Sequence, residues 1–303
     1  MKQSLPLEQM DPVAAAESIS RVSDMLALTK PRISTMAAIT TAGGFYLGTV
    51  GSIDWLALVN TFIATWIMSG GGCAMNQYLE RDRDGLMERT RNRPLPTGRM
   101  NPGAAFAQGM ILTMVGLAYM ALAVNPVAAA VGALAFVSYV FVYTPLKRIT
   151  SLCTVVGAVP GALPPVIGWA AARGEVTYGA MVLFAIMFLW QLPHSLAIGY
   201  MYREDYQRGG FKLLTVLDYG GQVAARQAVI YLIGMIFVSF IPYAVGLTGP
   251  FYLVGAFLLG MFYLAATFAW FLKVERPRAR RSFFASLIYL IVLFGLLVGD
   301  KVS

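Results

Sequence analysis

Histidine occurs once in this chain, cysteine twice, and charged residues make up only 13% of its 303 positions. The two cysteines, Cys73 and Cys153, are too few for a disulfide scaffold, and each lies inside an apolar stretch, where a buried, inert thiol is the expectation. A single histidine excludes a His-rich zinc or haem-ligand cluster built by this chain alone. So little charge excludes an ordinary soluble domain, in which charged residues are about a quarter of the total. Long apolar-polar alternation is also missing, which removes a membrane β-barrel. What the chain has instead is apolar mass: 58% of its residues are Ala, Val, Ile, Leu, Met, Phe, Trp, Tyr or Cys. That composition belongs to a polytopic membrane protein. Its net charge of +8 then reads as a topology signal rather than as affinity for nucleic acid.

A hydrocarbon core of about 30 Å takes ~20 apolar residues in a helix. Nine stretches qualify, at about 33–51, 55–75, 104–124, 127–144, 152–171, 178–200, 227–246, 250–272 and 283–299. All are expected to be helical, because backbone groups in lipid must be satisfied within their own segment. With nine spans, 21 of the 23 Lys and Arg residues fall on one side, leaving only Arg173 and Lys301 on the other. This split predicts a cytoplasmic N-terminus and an outside C-terminus. The expected fold is therefore all-α, a multi-pass protein of a prokaryotic cytoplasmic (inner) membrane. Residues 1–29 form a polar cytoplasmic tail with no signal-peptide core, and 30–303 form one membrane domain.

The second span runs into Asn76, Glu80, Asp82 and Asp84. Asn76, Glu80 and Asp84 are four apart, so they share one helical face, with Asp82 off it. Like charges so spaced repel unless something neutralises them. An amide and two carboxylates in a row are hard oxygen donors of the kind Mg²⁺ accepts while bridging to phosphates, with Mn²⁺ as an alternative. The next residues carry Arg89 and Arg93 before Pro94 and Pro96 end the helix. Guanidinium groups beside a carboxylate-metal stripe suit a diphosphate.

The sixth span has the same design: Trp190, Pro193 and His194 lead to Glu204, Asp205 and Tyr206. Two helices delivering acids to one face can hold metal or clamp one diphosphate, with Glu204 and Asp205 as candidates for a second ion. His194, about three turns before Asp205, is expected within the bundle. Tyr143, Lys147 and Arg148 mark another helix end, and Lys30 and Arg32 flank Pro31 before the first span. Gly157, Pro160, Gly161, Pro164 and Pro165 interrupt the fifth span, which signals close packing or a cavity.

An Asn-acid-Asp stripe ending the second span, with a second acidic end after the sixth, resembles the UbiA superfamily of intramembrane prenyltransferases. Within it, Leu28 to Arg32, Asn76 to Arg93, Tyr143 to Arg148, Pro160 to Trp169, and Trp190 to His194 leading into Tyr206 resemble the haem farnesyltransferase branch. Two departures stand out: Glu80 where members usually show Asp, and Ser195 and Tyr202 where other branches offer carboxylates.

The resemblance implies helices around a central cavity and transfer of farnesyl from farnesyl diphosphate to haem B, with water, giving haem O. It implies Asn76, Glu80, Asp84 and Asp205 as catalytic, through Mg²⁺, and Lys30, Arg32, Arg89, Arg93, Tyr143, Lys147 and Arg148 around the diphosphate. It gives His194 and Trp190 to the haem, and a haem A synthase as the enzyme next to it. Two other readings stay open: a related prenyltransferase with an aromatic or quinone-precursor acceptor, and a cation-coupled transporter.

Overall fold

The computed structural model describes residues 21–302, so most of the expected tail lies outside the described residues. Every extended element described is a helix, and the pairing of Thr248 with Lys301 is an isolated bridge. Eight helices are long and apolar enough to cross a membrane. They are α2 (Trp55–Asp84), α3 (Pro102–Ala123), α4 (Pro126–Leu146), α5 (Cys153–Arg173), α6 (Tyr178–Met201), α7 (Gln222–Ala244), α8 (Pro250–Leu272) and α9 (Arg276–Gly299). The first expected span is also a helix, α1 (Pro31–Gly48). Arg32, Ser34, Thr35, Thr40 and Thr41 make it too polar to meet the same measure, so eight of the nine expected spans satisfy it.

Local chemistry explains the boundaries. Asp54 accepts the Ala57 N–H at 2.9 Å to cap α2, and Asn125 accepts the Ala128 N–H at 2.8 Å to cap α4. Proline opens α1, α3, α4 and α8, where its missing N–H costs nothing. Within α4, residues Ser138–Tyr143 widen into a π-helix just before Pro145. Pro145 has no N–H and its ring presses on the preceding turn, and the wider turn relieves this. Helix α5 breaks at Leu163, before Pro164 and Pro165, as its proline-glycine run predicts.

Close packing holds α1 to the second half of α5. A Cβ on Gly168 would stand 1.8 Å from the Thr41 carbonyl oxygen, and one on Gly44 2.1 Å from that of Pro165. Small residues let membrane helices approach at backbone distance, where dispersion replaces the absent hydrophobic drive. The largest buried cluster joins α5, α6, α7, α8 and α9 through Trp169, Trp190, Tyr252, Tyr263 and Tyr289. Residues 21–28 are helical and lie against the bundle: Gln77 donates to the Leu28 carbonyl at 2.8 Å, and Arg99 meets Asp24 at 3.1 Å.

The α1–α5 crossing is testable. Gly168→Ala should lower stability by about 1–3 kcal/mol through overpacking. Gly295→Ala, whose Cβ meets nothing within 4 Å, should instead raise it by about 0.5–1 kcal/mol, the usual gain of alanine over glycine in a helix. Thermal unfolding in detergent compares them, and equal melting temperatures would remove the backbone-contact argument.

Candidate active site

The C-terminal end of α2 carries its polar face inward. Asn76, Glu80 and Asp84 are all buried, Asp84 to 1% exposure, while the Asp82 side chain is 85% exposed. This follows from the helical repeat: steps of four stay on one face and a step of two leaves it. Each inward group has its own cation. Lys30 Nζ donates to Asn76 Oδ1 at 3.0 Å, Lys147 Nζ to Glu80 Oε1 at 2.8 Å, and Arg93 to Asp84 Oδ2 at 2.6 Å. Asn76 also donates to Thr144 Oγ1 at 3.2 Å. Three segments distant in sequence therefore converge on one helix face.

The cations differ in character. Lys30, directly before the Pro31 that starts α1, sits in the left-handed region at φ 44°, the one non-glycine residue described there. Burial pushes its ammonium below the ordinary lysine range. Burial opposes the charge of Lys147 as well, but Tyr143 and the Glu80 carboxylate outweigh it and its pKa rises. The Lys147 ammonium also lies 4.6 Å from the Tyr143 ring centroid.

The second acidic end is organised differently. Asp205, in the short helix Arg203–Arg208, is buried and accepts the Glu88 N–H at 3.0 Å and the Arg208 guanidinium. Although burial works the other way, Arg208 and the N–H groups of Glu88 and Arg89 hold its carboxyl below the usual range. Asp205 thus fastens the loop after α2. Glu204 is exposed, because neighbours on a helix point about 100° apart and only one of the pair can face in. The structure therefore turns Glu204 away from the cluster. Arg148 is also turned elsewhere, donating to the Leu79 carbonyl at 2.5 Å. Arg89 stacks over the rings of Tyr202 and Tyr206, tying the two helix ends together.

Among the described residues, no three of His, Cys, Asp and Glu lie together as a ready metal cluster. The donors fit a hard divalent ion nonetheless. Glu80 Oε2 and Asp84 Oδ1 take no hydrogen bond among the described residues, and Mg²⁺ commonly uses one or two carboxylates with the rest of its shell from water and phosphate.

Below the cluster lies a cavity of about 630 Å³ with mostly apolar walls. It runs from Arg32 at the polar end past Cys73 and Tyr139 to His194. Its wall includes exposed faces of α1 and α9, Ile33 and Ile291 among them. His194 stacks on Trp190 with centroids 4.9 Å apart and lies 5.0 Å from Phe283. Its Nδ1 is 2.7 Å from Ser286 Oγ, whose own hydroxyl donates to the Phe283 carbonyl. This contact holds the plane of the His194 ring from a neighbouring helix. Trp190 Nε1 donates to the Ser286 carbonyl, so one residue of α9 orients both rings.

Sequence reasoning missed Thr144, Ser286, Tyr139 and Arg208. Thr144 stood inside a motif already singled out. Ser286 carried no signal beyond being polar in an apolar span.

Residues 37–290 match the model of the UbiA prenyltransferase family. A protoheme IX farnesyltransferase of Myxococcus xanthus (strain DK1622) is 44% identical, over 95% of this chain and 98% of that one. One of Solibacter usitatus (strain Ellin6076) is 43% identical, over 92% and 98%. Among solved structures, a digeranylgeranylglyceryl phosphate synthase superposes with a TM-score of 0.78 at 16% identity, over 93% of this chain and 98% of that one. A UbiA homolog from Archaeoglobus fulgidus bound to DMAPP and Mg²⁺ gives 0.64 at 16% identity, over 91% and 99%. By sequence and by fold the chain belongs to the UbiA prenyltransferase family, as a membrane-embedded prenyl-transferring enzyme.

Proposed function

We propose that this chain transfers the farnesyl group of farnesyl diphosphate to a vinyl group of haem B, with addition of water, giving haem O and diphosphate. The observation that carries the reading is the cavity: an apolar chamber that reaches Cys73, about one helical turn before Asn76 on the cation-carboxylate helix, and extends to His194. The near full-length likeness to protoheme IX farnesyltransferases supports the acceptor. A lone histidine stacked on tryptophan suits a metalloporphyrin better than a benzoate. On the charge split, we place the polar end in the cytoplasm, α1 as a ninth span, residues 1–29 as a tail and 30–303 as one domain, in a prokaryotic inner membrane. The product is the substrate expected of a haem A synthase.

The residues divide the work as follows. Asn76, Glu80 and Asp84 would hold Mg²⁺, which when bound takes up charge on the departing diphosphate. Lys30, Arg93 and Lys147 are released from their present partners to hold phosphate oxygens, and Arg32 and Arg89 flank the entrance. Asp205 holds the loop carrying Glu88 and Arg89 in place. Breaking the allylic C–O bond sends its electron pair to diphosphate. The new C–C bond joins farnesyl C1 to the outer vinyl carbon, water oxygen adds to the inner one, and a proton leaves. The apolar walls keep bulk water from quenching the allylic cation first. His194 Nε2 faces the porphyrin, as a ligand to its iron or a contact at its edge.

Purified protein incubated with haem B, farnesyl diphosphate and Mg²⁺ should yield a haem heavier by one farnesyl group and one hydroxyl group, and none with EDTA. No product from folded protein, with product from an aromatic acceptor instead, would overturn the acceptor. Asp84→Asn should cut turnover by about a hundredfold or more, as expected for lost charge stabilisation, in protein that still folds but melts at a lower temperature because Arg93 loses its partner. Full activity would remove the metal stripe. His194→Ala should weaken haem use at least tenfold more than binding of farnesyl diphosphate, and equal loss of both would reduce His194 to packing.

A further inference from the structure

A second concavity, of about 660 Å³, opens where α6 ends and α9 begins. Its walls include Arg276, Arg280 and Arg281 together with Tyr202, Phe283 and Phe284. None of the three arginines has an ion-pair partner among the described residues. The nearby acid, Glu275, is taken by Lys273 at 2.7 Å and by Arg278 at 4.0 Å. The arginines occupy the first two turns of α9, the positive end of the helix dipole, where cations are disfavoured unless an anion joins them. Orientation in the membrane accounts for positive charge on this side. It does not account for guanidinium groups sharing a pocket with aromatic rings, an arrangement that fits a flat molecule with acidic substituents.

The pocket adjoins the cavity, with one aromatic side chain between them. Phe283 lines both, and its ring lies 5.0 Å from His194. Arg276, Arg280, Phe283, Leu287 and Ile291 recur at steps of four, three, four and four, so one face of α9 runs from the basic pocket down the cavity wall. Arg280 and Leu287 are separated by about 10 Å along the helix axis, comparable to the breadth of a porphyrin. Haem B carries its two propionates on one edge and its vinyl groups on the opposite edge. A vinyl group inside the apolar cavity therefore requires carboxylates to emerge on another side, and this pocket offers them partners.

We propose that Arg280 and Arg281, assisted by Arg276, bind the propionate carboxylates of the porphyrin acceptor and so select which edge of the ring faces the prenyl donor. The proposal rests on the haem reading above and names positioning residues, since the arginines contact the substrate far from the reacting carbons. Loss of the pair lets the ring bind in other orientations, so it affects haem recognition and leaves the diphosphate end unchanged.

The test is a Soret-band titration of full-length protein in zwitterionic nanodiscs, with haem B and with its dimethyl ester. The wild type should bind haem B about tenfold more tightly than the ester, the contribution of a charge-assisted hydrogen bond. R280Q/R281Q should bring that ratio close to one with farnesyl diphosphate binding unchanged, and R280K/R281K should restore most of it. A preserved ratio in the Gln variant, or equal weakening of both porphyrins, overturns the proposal. If the Gln variant instead loses only a thermal stabilisation conferred by anionic lipid, the pocket belongs to a lipid phosphate and the proposal falls. A wild type that binds and makes haem product but shows no preference for free propionates defeats this inference alone. A wild type that binds neither porphyrin defeats the acceptor reading first, and this inference with it.

Discussion

The constraint on which the rest depends is that carboxylates at the buried end of a membrane helix must be neutralised. An unpaired charge there costs several kcal/mol, and removing one partner of a buried pair typically costs about 3–5 kcal/mol. Here Glu80 and Asp84 are matched by Lys147 and Arg93, and Asn76 by Lys30. Those cations come from the start of α1, the loop after α2 and the end of α4. Pairing the charges therefore fixes how three parts of the chain meet. The pairs also have an alternative state built in. An incoming diphosphate with its cation offers the lysines and the arginine new anions, and offers the carboxylates a new positive charge. Local neutrality survives the exchange, so substrate can enter without stranding a charge in a poorly solvated site.

Below that end the chemistry changes abruptly. The cavity offers few polar atoms, and His194 is oriented by Ser286 from a different helix. A leaving group that needs charge and a carbocation that needs its absence thus find a charged helix end and an apolar cavity about one helical turn apart, between Asn76 and Cys73. The fold alone does not choose the acceptor: a solved structure with this architecture, at 16% identity, is named as a digeranylgeranylglyceryl phosphate synthase. The acceptor proposed above is read instead from this chain's own walls, from the stacked Trp190 and His194.

Much of this was legible in the residues because helical spacing is strict. Steps of four put Asn76, Glu80 and Asp84 on one face and Asp82 off it, and the structure has them so. The break in α5 followed from its prolines. Other features depend on tertiary context that spacing does not encode. Which of Glu204 and Asp205 faces inward is set by the rotation of a six-residue helix, and only Asp205 does. Arg148 sits beside Lys147 yet serves a backbone carbonyl. Ser286 lies 92 residues from the histidine it orients, and no local pattern links them. Helix α1 is expected as a span at 33–51 despite its polar residues, and the hydroxyls of Ser34 and Thr40 are satisfied by backbone carbonyls of its own turns or of the residues just before it.

The π-helical turn in α4 has an effect on inheritance. One surplus residue in a single turn rotates everything after it by about 100°. Before it, Gly132 lies against Met68, and after it Thr144 and Lys147 reach Asn76 and Glu80. The two halves of α4 are thus phased independently against the same neighbour. Drift in the lipid-embedded half leaves the aim of the other half intact so long as the surplus residue is kept. Deleting one residue anywhere in Ser138–Tyr143 would swing Thr144 and Lys147 off their partners and press the Pro145 ring back onto the preceding turn.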